Sequence, residues 1–291
     1  MIFSFIEERD NLIGFRCRSL LFESVEFTPL GVFHCVPFVP LPAEIRDRFN
    51  ETFFDHHNNY YGTGSQTAQA MPLVFGMVPD AHREDVIRQL VHDVESRGDQ
   101  QTAGDVGFRY LIRVLTDAGR SDVLYRMNTR TNAPSYGCQI ENGVTSLPEA
   151  WDGNPLGSQN HCMLGHIQEW FMSGLAGIGQ EEDSIGFERI VIKPAVPQGL
   201  EKVSGYYDSV RGRIESEWAV EGDTFTLRIQ IPANSSARVY IPSGSGQVQE
   251  SGIHVEDAPG VTHVDQADGV CIVSIGSGKY HFQVNPSLSQ D

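Results

Sequence analysis

Residues 82–98 read HREDVIRQLVHDVESRG. Ile87, Leu90, Val91 and Val94 recur at the 0, 3, 4, 7 spacing of one helical face, with Asp80 ahead as a cap and Gly98 as a stop. The same spacing returns at Phe108, Leu111, Ile112 and Leu115, followed by Gly119, and again at Leu164, Ile167, Phe171 and Leu175. Ile45, Phe49 and Phe53 recur every fourth residue. With QTAQAMPLVFG and SDVLYRMNT, residues 41–186 predict about six helices joined by short loops, as in stacked antiparallel hairpins.

The pattern changes near Gly186. ERIVIKP, VSGYYDSV, GRIESEWAV, DTFTLRIQIP, SARVYIP, GVCIVSI and KYHFQV are short β-branched or aromatic runs separated by turn formers. In RIESEWAV, Ile214, Ser216, Trp218 and Val220 share one face. Such runs predict an antiparallel β-sandwich over residues 187–291. Residues 1–40 are apolar without a clear period and fit neither region.

The chain has 291 residues, with 38 Asp and Glu against 21 Lys and Arg, a net charge of −17. An excess of that sign repels phosphate backbones, so a nucleic-acid partner is not expected. No apolar run is long enough to span a membrane. The start, MIFSFIEERD, shows no basic leader or cleavage site, so a cytoplasmic product is the expectation. Five scattered cysteines form no CxxC pair and predict free, buried thiols rather than disulfides. His161 and His166 stand five apart, a poor spacing for one metal, and no metal or cofactor is expected.

Residues 141–153, ENGVTSLPEAWDG, follow no helix or strand period. Glu149 sits there between Pro148 and Trp151. A loop carboxylate can draw a proton from water, and an aromatic beside it can pack on a sugar ring. A solvated glutamate is the plainer reading of the loop alone. In GSQNHCMLGH, Ser158 or Asn160 can cap a following helix and place His161 in its first turn. Histidine and asparagine suit sugar hydroxyls, and a capping sequence with a satisfied histidine explains them as well. YGTGSQTAQA is a Gly-rich turn entering a helix, lacking the Lys-Ser/Thr ending of a phosphate loop; Gln66 and Gln69 face either the interior or a cleft.

Taken in order, YGTGSQTAQA, VPDAHRED, TAGDVGFRYLIRVLTDAGRSDVLYRM, PSYGCQIENGVTSLPEAWDG, SQNHCMLGHIQEWFMSGLAGI, FERIVIKP, YDSVRGRIESEW and FTLRIQIPANSSARVYIP resemble the bacterial- and fungal-type α-L-rhamnosidases of glycoside hydrolase family 78. The resemblance covers roughly residues 41–245. It implies part of an (α/α)₆ toroid over 41–186, then a jelly-roll-like antiparallel sandwich. It also implies inverting hydrolysis of a terminal α-L-rhamnoside by a general acid and a general base. The family's base glutamate lies in a Thr-Thr-x-Trp-Glu-x-Trp loop, matched by Thr145-Ser146-Leu147-Pro148-Glu149-Ala150-Trp151. Glu149 is the implied base, and Trp151, Asn160, His161 and Tyr136 are the implied sugar-binding residues. Pro148, Ala150 and Tyr136 depart from the family pattern, and the loop after Asp152 is short. The acidic stretch that holds the family's general acid has no counterpart here.

About six helices make half a ring, which leaves apolar flanks for a partner or for a missing N-terminal half to cover. The expected enzyme is therefore weak or inactive alone. The alternative is a non-catalytic sugar-binding or partner protein derived from such an enzyme.

Overall fold

The structure, a computed structural model, describes residues 43–132, 134–154 and 157–285, with the backbone of two short strands, β1 (Glu7–Glu8) and β2 (Leu12–Gly14). Cys17, Cys35 and the rest of the apolar N-terminal segment lie outside the described residues. The first half is helical: α1 (Ala43–Phe53), α2 (Gln66–Val74), α3 (Asp80–Ser96), α4 (Asp105–Asp117), α5 (Ser121–Thr129) and α6 (Tyr136–Glu141). A hairpin of β3 (Phe54–Asp55) and β4 (Tyr60–Tyr61) separates α1 from α2.

The periodic residues of α4 are core, and so are those of α3 except Ile87, which is half-buried beside fully buried Val86. Phe108, Leu111, Ile112 and Leu115 of α4 are at most 1% exposed, and Leu90, Val91 and Val94 of α3 are buried beside them. Asp80 is the first residue of α3 rather than its cap; Pro79 holds the cap position without a side-chain bond. Helix α6 is too short to show a period in the sequence, and Ser135 caps it by accepting the N–H of Cys138. The predicted helix at 164–175 is broken into a 3₁₀ turn (Cys162–His166), a single turn α7 (Ile167–Glu169) and a π turn (Trp170–Leu175). Leu164, Ile167 and Leu175 are buried all the same.

Two constraints set the helix packing. Gly107 of α4 lies against α2, where a Cβ would come within 2.8 Å of Thr67 Cβ. Gln66, fully buried at the start of α2, accepts the N–H groups of Thr102 and Ala103 (3.1 Å each) and donates to Gln100 O (3.0 Å). It satisfies the turn that leads into α4. Gln69, also buried, accepts the N–H of Tyr61. Both glutamines therefore face the interior.

The second half begins with β5 (Ile178–Gln180). Strands β6 (Arg189–Ile192), β7 (Lys202–Ser209), β8 (Gly212–Glu221), β9 (Thr224–Ile231) and β10 (Ser236–Pro242) follow. The last are β11 (Gln247–Glu250), β12 (Ile253–His254), β13 (Val261–Ala267), β14 (Val270–Ile275) and β15 (Gly278–Asn285). They form an eight-stranded sheet, β1-β2-β7-β8-β9-β15-β11-β12, and a five-stranded sheet, β13-β14-β10-β6-β5. Pairing is antiparallel except for β2 with β7 and β6 with β10. Alternation decides the inner face: Ile214, Ser216 and Trp218 are wholly buried while Glu215 and Glu217 point out. Inner residues of both sheets belong to the same apolar core as the helices.

The halves are stitched where the π turn ends. Trp218 of β8 donates its indole N–H to Leu175 O (2.8 Å), using a carbonyl that the helix terminus leaves free. Gly177 follows at φ 69°, against the Lys193–Pro194 backbone, where a side chain has no room. At the opposite flank, no residue of α1 is buried, and Ile45 and Phe53 are 51% and 50% exposed.

Three substitutions check this packing in urea denaturation. Leu111→Ala should cost about 2–5 kcal/mol. Ile45→Gln should stay within about 0.5 kcal/mol, because that face packs on little. Helix propensity alone favours Gly107→Ala by about 1 kcal/mol, yet overpacking against Thr67 at about 1–3 kcal/mol should make it a net loss.

Candidate active site

Three segments are tied together here: the turn 103–105 at the start of α4, the loop 147–151 that carries Glu149, and the segment 158–161. The backbone holds the last two together. Glu149 N–H donates to Ser158 O (2.8 Å), and His161 N–H donates to Leu147 O (2.7 Å). This pair of bonds ties the backbone of Glu149 to that of Ser158 and the backbone of Leu147 to that of His161. Pro148 is buried and anchors the loop, while Glu149 is exposed. Its carboxylate makes no hydrogen bond or ion pair among the described residues.

Trp151 fastens the loop from below. Its indole N–H donates to Ala103 O (2.8 Å). Its ring meets Phe108 edge-on at 4.9 Å and Tyr136 at 5.2 Å. Gln139 Nε2 donates to Ala150 O (3.2 Å). Tyr136 is buried beneath this cluster, donates its hydroxyl to Leu164 O, and has its phenol pKa pushed up by burial. Trp151 is partly buried and keeps some surface at the loop.

His161 closes the third side. Its Nε2 lies 3.1 Å from Asp105 Oδ2, with 17% of the His161 side chain and 37% of the Asp105 side chain exposed. The hydrogen bond from His161, then that from the Val106 N–H, holds the Asp105 carboxyl below the usual carboxylate range. Segment 103–105 thus touches Trp151 through Ala103 and His161 through Asp105. Asn160 is exposed beside them. Neither Ser158 nor Asn160 caps the 3₁₀ turn; His161 takes the cap position, without a side-chain bond, and the backbone carbonyl of Ser158 is what the site uses.

Of the sequence-predicted site residues, Glu149, Trp151, Asn160 and His161 stand in these three segments, and Tyr136 lies underneath. Asp105 was missed. Its sequence signal is an acidic first-turn residue after Gly104, and its partner stands 56 residues away. Among the described residues His166 makes no ion pair, and burial lowers its pKa. Among the described residues no group of three His, Cys, Asp or Glu side chains is placed to hold a metal ion, and no helix is long and apolar enough to cross a membrane. Cys271 is buried, with its thiol pushed up to about 11 by that burial, while Cys138 is half-buried and Cys162 exposed, contrary to the expectation of uniformly buried thiols. A cleft of about 350 Å³ lies between α2, α4 and α7, and another of about 550 Å³ on the outer face of the larger sheet. Glu149 lines neither.

Residues 36–175 match the family model described as the bacterial alpha-L-rhamnosidase 6 hairpin glycosidase domain, which places the helical half among the six-hairpin glycosidases. Residues 177–256 match the bacterial alpha-L-rhamnosidase C-terminal domain. The chain belongs to the α-L-rhamnosidase family, with part of the helical domain followed by the C-terminal β domain. It is 28% identical over 257 residues to the alpha-L-rhamnosidase of Streptomyces avermitilis, covering 85% of this chain and 24% of that protein. The crystal structure of the S. avermitilis enzyme complexed with L-rhamnose superposes with a TM-score of 0.75 at 28% identity, over 84% of this chain and 24% of that one. The alpha-L-rhamnosidase from Dictyoglumus thermophilum gives 0.74 at 28% identity, over 84% and 28%. The chain spans about a quarter of the length of these relatives.

Trp151→Phe tests the clasp beneath the loop. It keeps a ring against Phe108 and leaves the Ala103 carbonyl without its donor, so stability should fall by about 1–3 kcal/mol in urea denaturation. Unchanged stability would show that the loop is held elsewhere.

Proposed function

We propose that this chain carries the general-base side of an α-L-rhamnosidase site, with Glu149 drawing the proton from a water that attacks the anomeric carbon of a terminal α-L-rhamnoside. The reaction inverts configuration. The observation that carries this reading is an exposed carboxylate, without a hydrogen bond or ion pair among the described residues, on a loop whose backbone is cross-linked to 158–161. A base must accept a proton, and an ion-paired carboxylate does so poorly. Asn160, His161 and the open part of Trp151 contact the sugar. Tyr136 supports Trp151 from beneath.

Inverting hydrolysis needs a second carboxyl group across the scissile bond. The relatives are about four times as long as this chain's match to them. The half-exposed Ile45 and Phe53 of α1 are consistent with further helical hairpins packing there. We assign the general acid to such a half. On that assignment the isolated chain lacks one acid–base group, typically a loss of about 10²–10⁴-fold.

An aryl α-L-rhamnoside assay tests both parts. The chain alone should turn over weakly or not at all, and robust turnover would overturn the assignment of the acid elsewhere. With the upstream half supplied, proton NMR should show β-L-rhamnose forming first. Glu149→Gln should then cut the rate by about 10²–10⁴-fold. A variant within twofold of its parent would remove Glu149 from the mechanism and leave a sugar-binding protein.

A further inference from the structure

We infer that Asp105 is a positioning residue that decides which ring nitrogen His161 offers to a sugar hydroxyl. The inference rests on the placement of His161 at the sugar proposed above. Asp105 opens α4, where negative charge is favoured by the helix terminus. One carboxylate oxygen, Oδ1, accepts the Val106 N–H at 2.8 Å, which fixes the orientation of the group. The other, Oδ2, lies 3.1 Å from His161 Nε2. An ionised carboxylate only accepts, so Nε2 carries the ring proton. In the neutral imidazole Nδ1 is then a lone pair. Nδ1 makes no hydrogen bond among the described residues. The backbone end of His161 is held independently by its N–H bond to Leu147 O. Ring and backbone are thus both pinned, and the ring presents an acceptor. The ligand group it suits is a hydroxyl that donates, on a neutral polyhydroxylated ring. A ring without Asp105 samples both tautomers and offers that hydroxyl a competing N–H.

Asparagine separates this role from simple packing. Asp105→Asn has nearly the same shape but one acceptor oxygen. If that oxygen keeps the Val106 N–H, the amide NH₂ faces Nε2 and drives the ring proton to Nδ1. Long-range ¹H–¹⁵N NMR of the full chain with labelled histidines reads the tautomer, and His161→Gln assigns the signal. The expected result is an Nε2–H ring in the parent and an Nδ1–H ring in Asp105→Asn. Asp105→Ala should give a mixture. L-rhamnose titrated into the same samples should bind about tenfold more weakly to Asp105→Asn. An unchanged tautomer in Asp105→Asn overturns the inference, and so does a reversed tautomer with undiminished L-rhamnose binding. Failure of the base assignment alone, seen as undiminished hydrolysis by Glu149→Gln, leaves both readouts as expected here.

Discussion

The candidate site depends on one hydrogen bond, from the indole of Trp151 to the carbonyl of Ala103. It is modest as an isolated contact, about 0.5–1.5 kcal/mol. Its importance comes from what it joins. Ala103 is already fixed by buried Gln66 of α2, and Asp105 two residues on reaches His161. Trp151 also packs against Phe108 and Tyr136, so the loop sits on the core of the helical half. A loop with no regular structure is thereby tied to the helices beneath it. Precise placement of reacting groups requires that kind of support.

The β domain is joined to the helices by the same device, an indole on a terminal carbonyl. Trp218 bonds Leu175 O at the end of the π turn; within the helical half, Trp170 of that turn donates instead to a side chain, Ser121 Oγ of α5 (3.0 Å). The π turn widens the helix end and lets its last carbonyls face the sheet. Gly177 then allows the chain to run against Lys193 and Pro194 without a side chain between them. One apolar core runs from α2 to β15 as a result. On α1, Phe49 packs on this core while Ile45 and Phe53 are half-exposed.

Charge is arranged economically at the site. Among the described residues Glu149 has no partner, whereas Asp105 is engaged by a histidine and a helix N–H. The two carboxylates therefore differ in their surroundings: one is exposed, and the other accepts hydrogen bonds that favour its ionised form. The rest of the acidic excess is spread over solvated surface, where arginine pairs such as Arg126 with Glu95 are worth little individually.

The amino-acid sequence by itself determined the helical half, the strand half and their order, because burial on one face imposes a period of 3.6 or 2 that survives in the residues. Phe108, Leu111, Ile112 and Leu115 are as buried as their spacing requires, and all seven strand-like runs are strands. What escaped detection has no period to show: α6 is six residues long, β11 is four, and β13 is an edge strand with no buried residue. The motif loop marked Glu149, Trp151 and His161, but not their surroundings. That Trp151 hangs on Ala103, that Asp105 faces His161, and that Gln66 serves the interior were decided only by the tertiary structure. Each is a contact between residues far apart in the chain, satisfied by direction and distance, and neither quantity is written in local spacing.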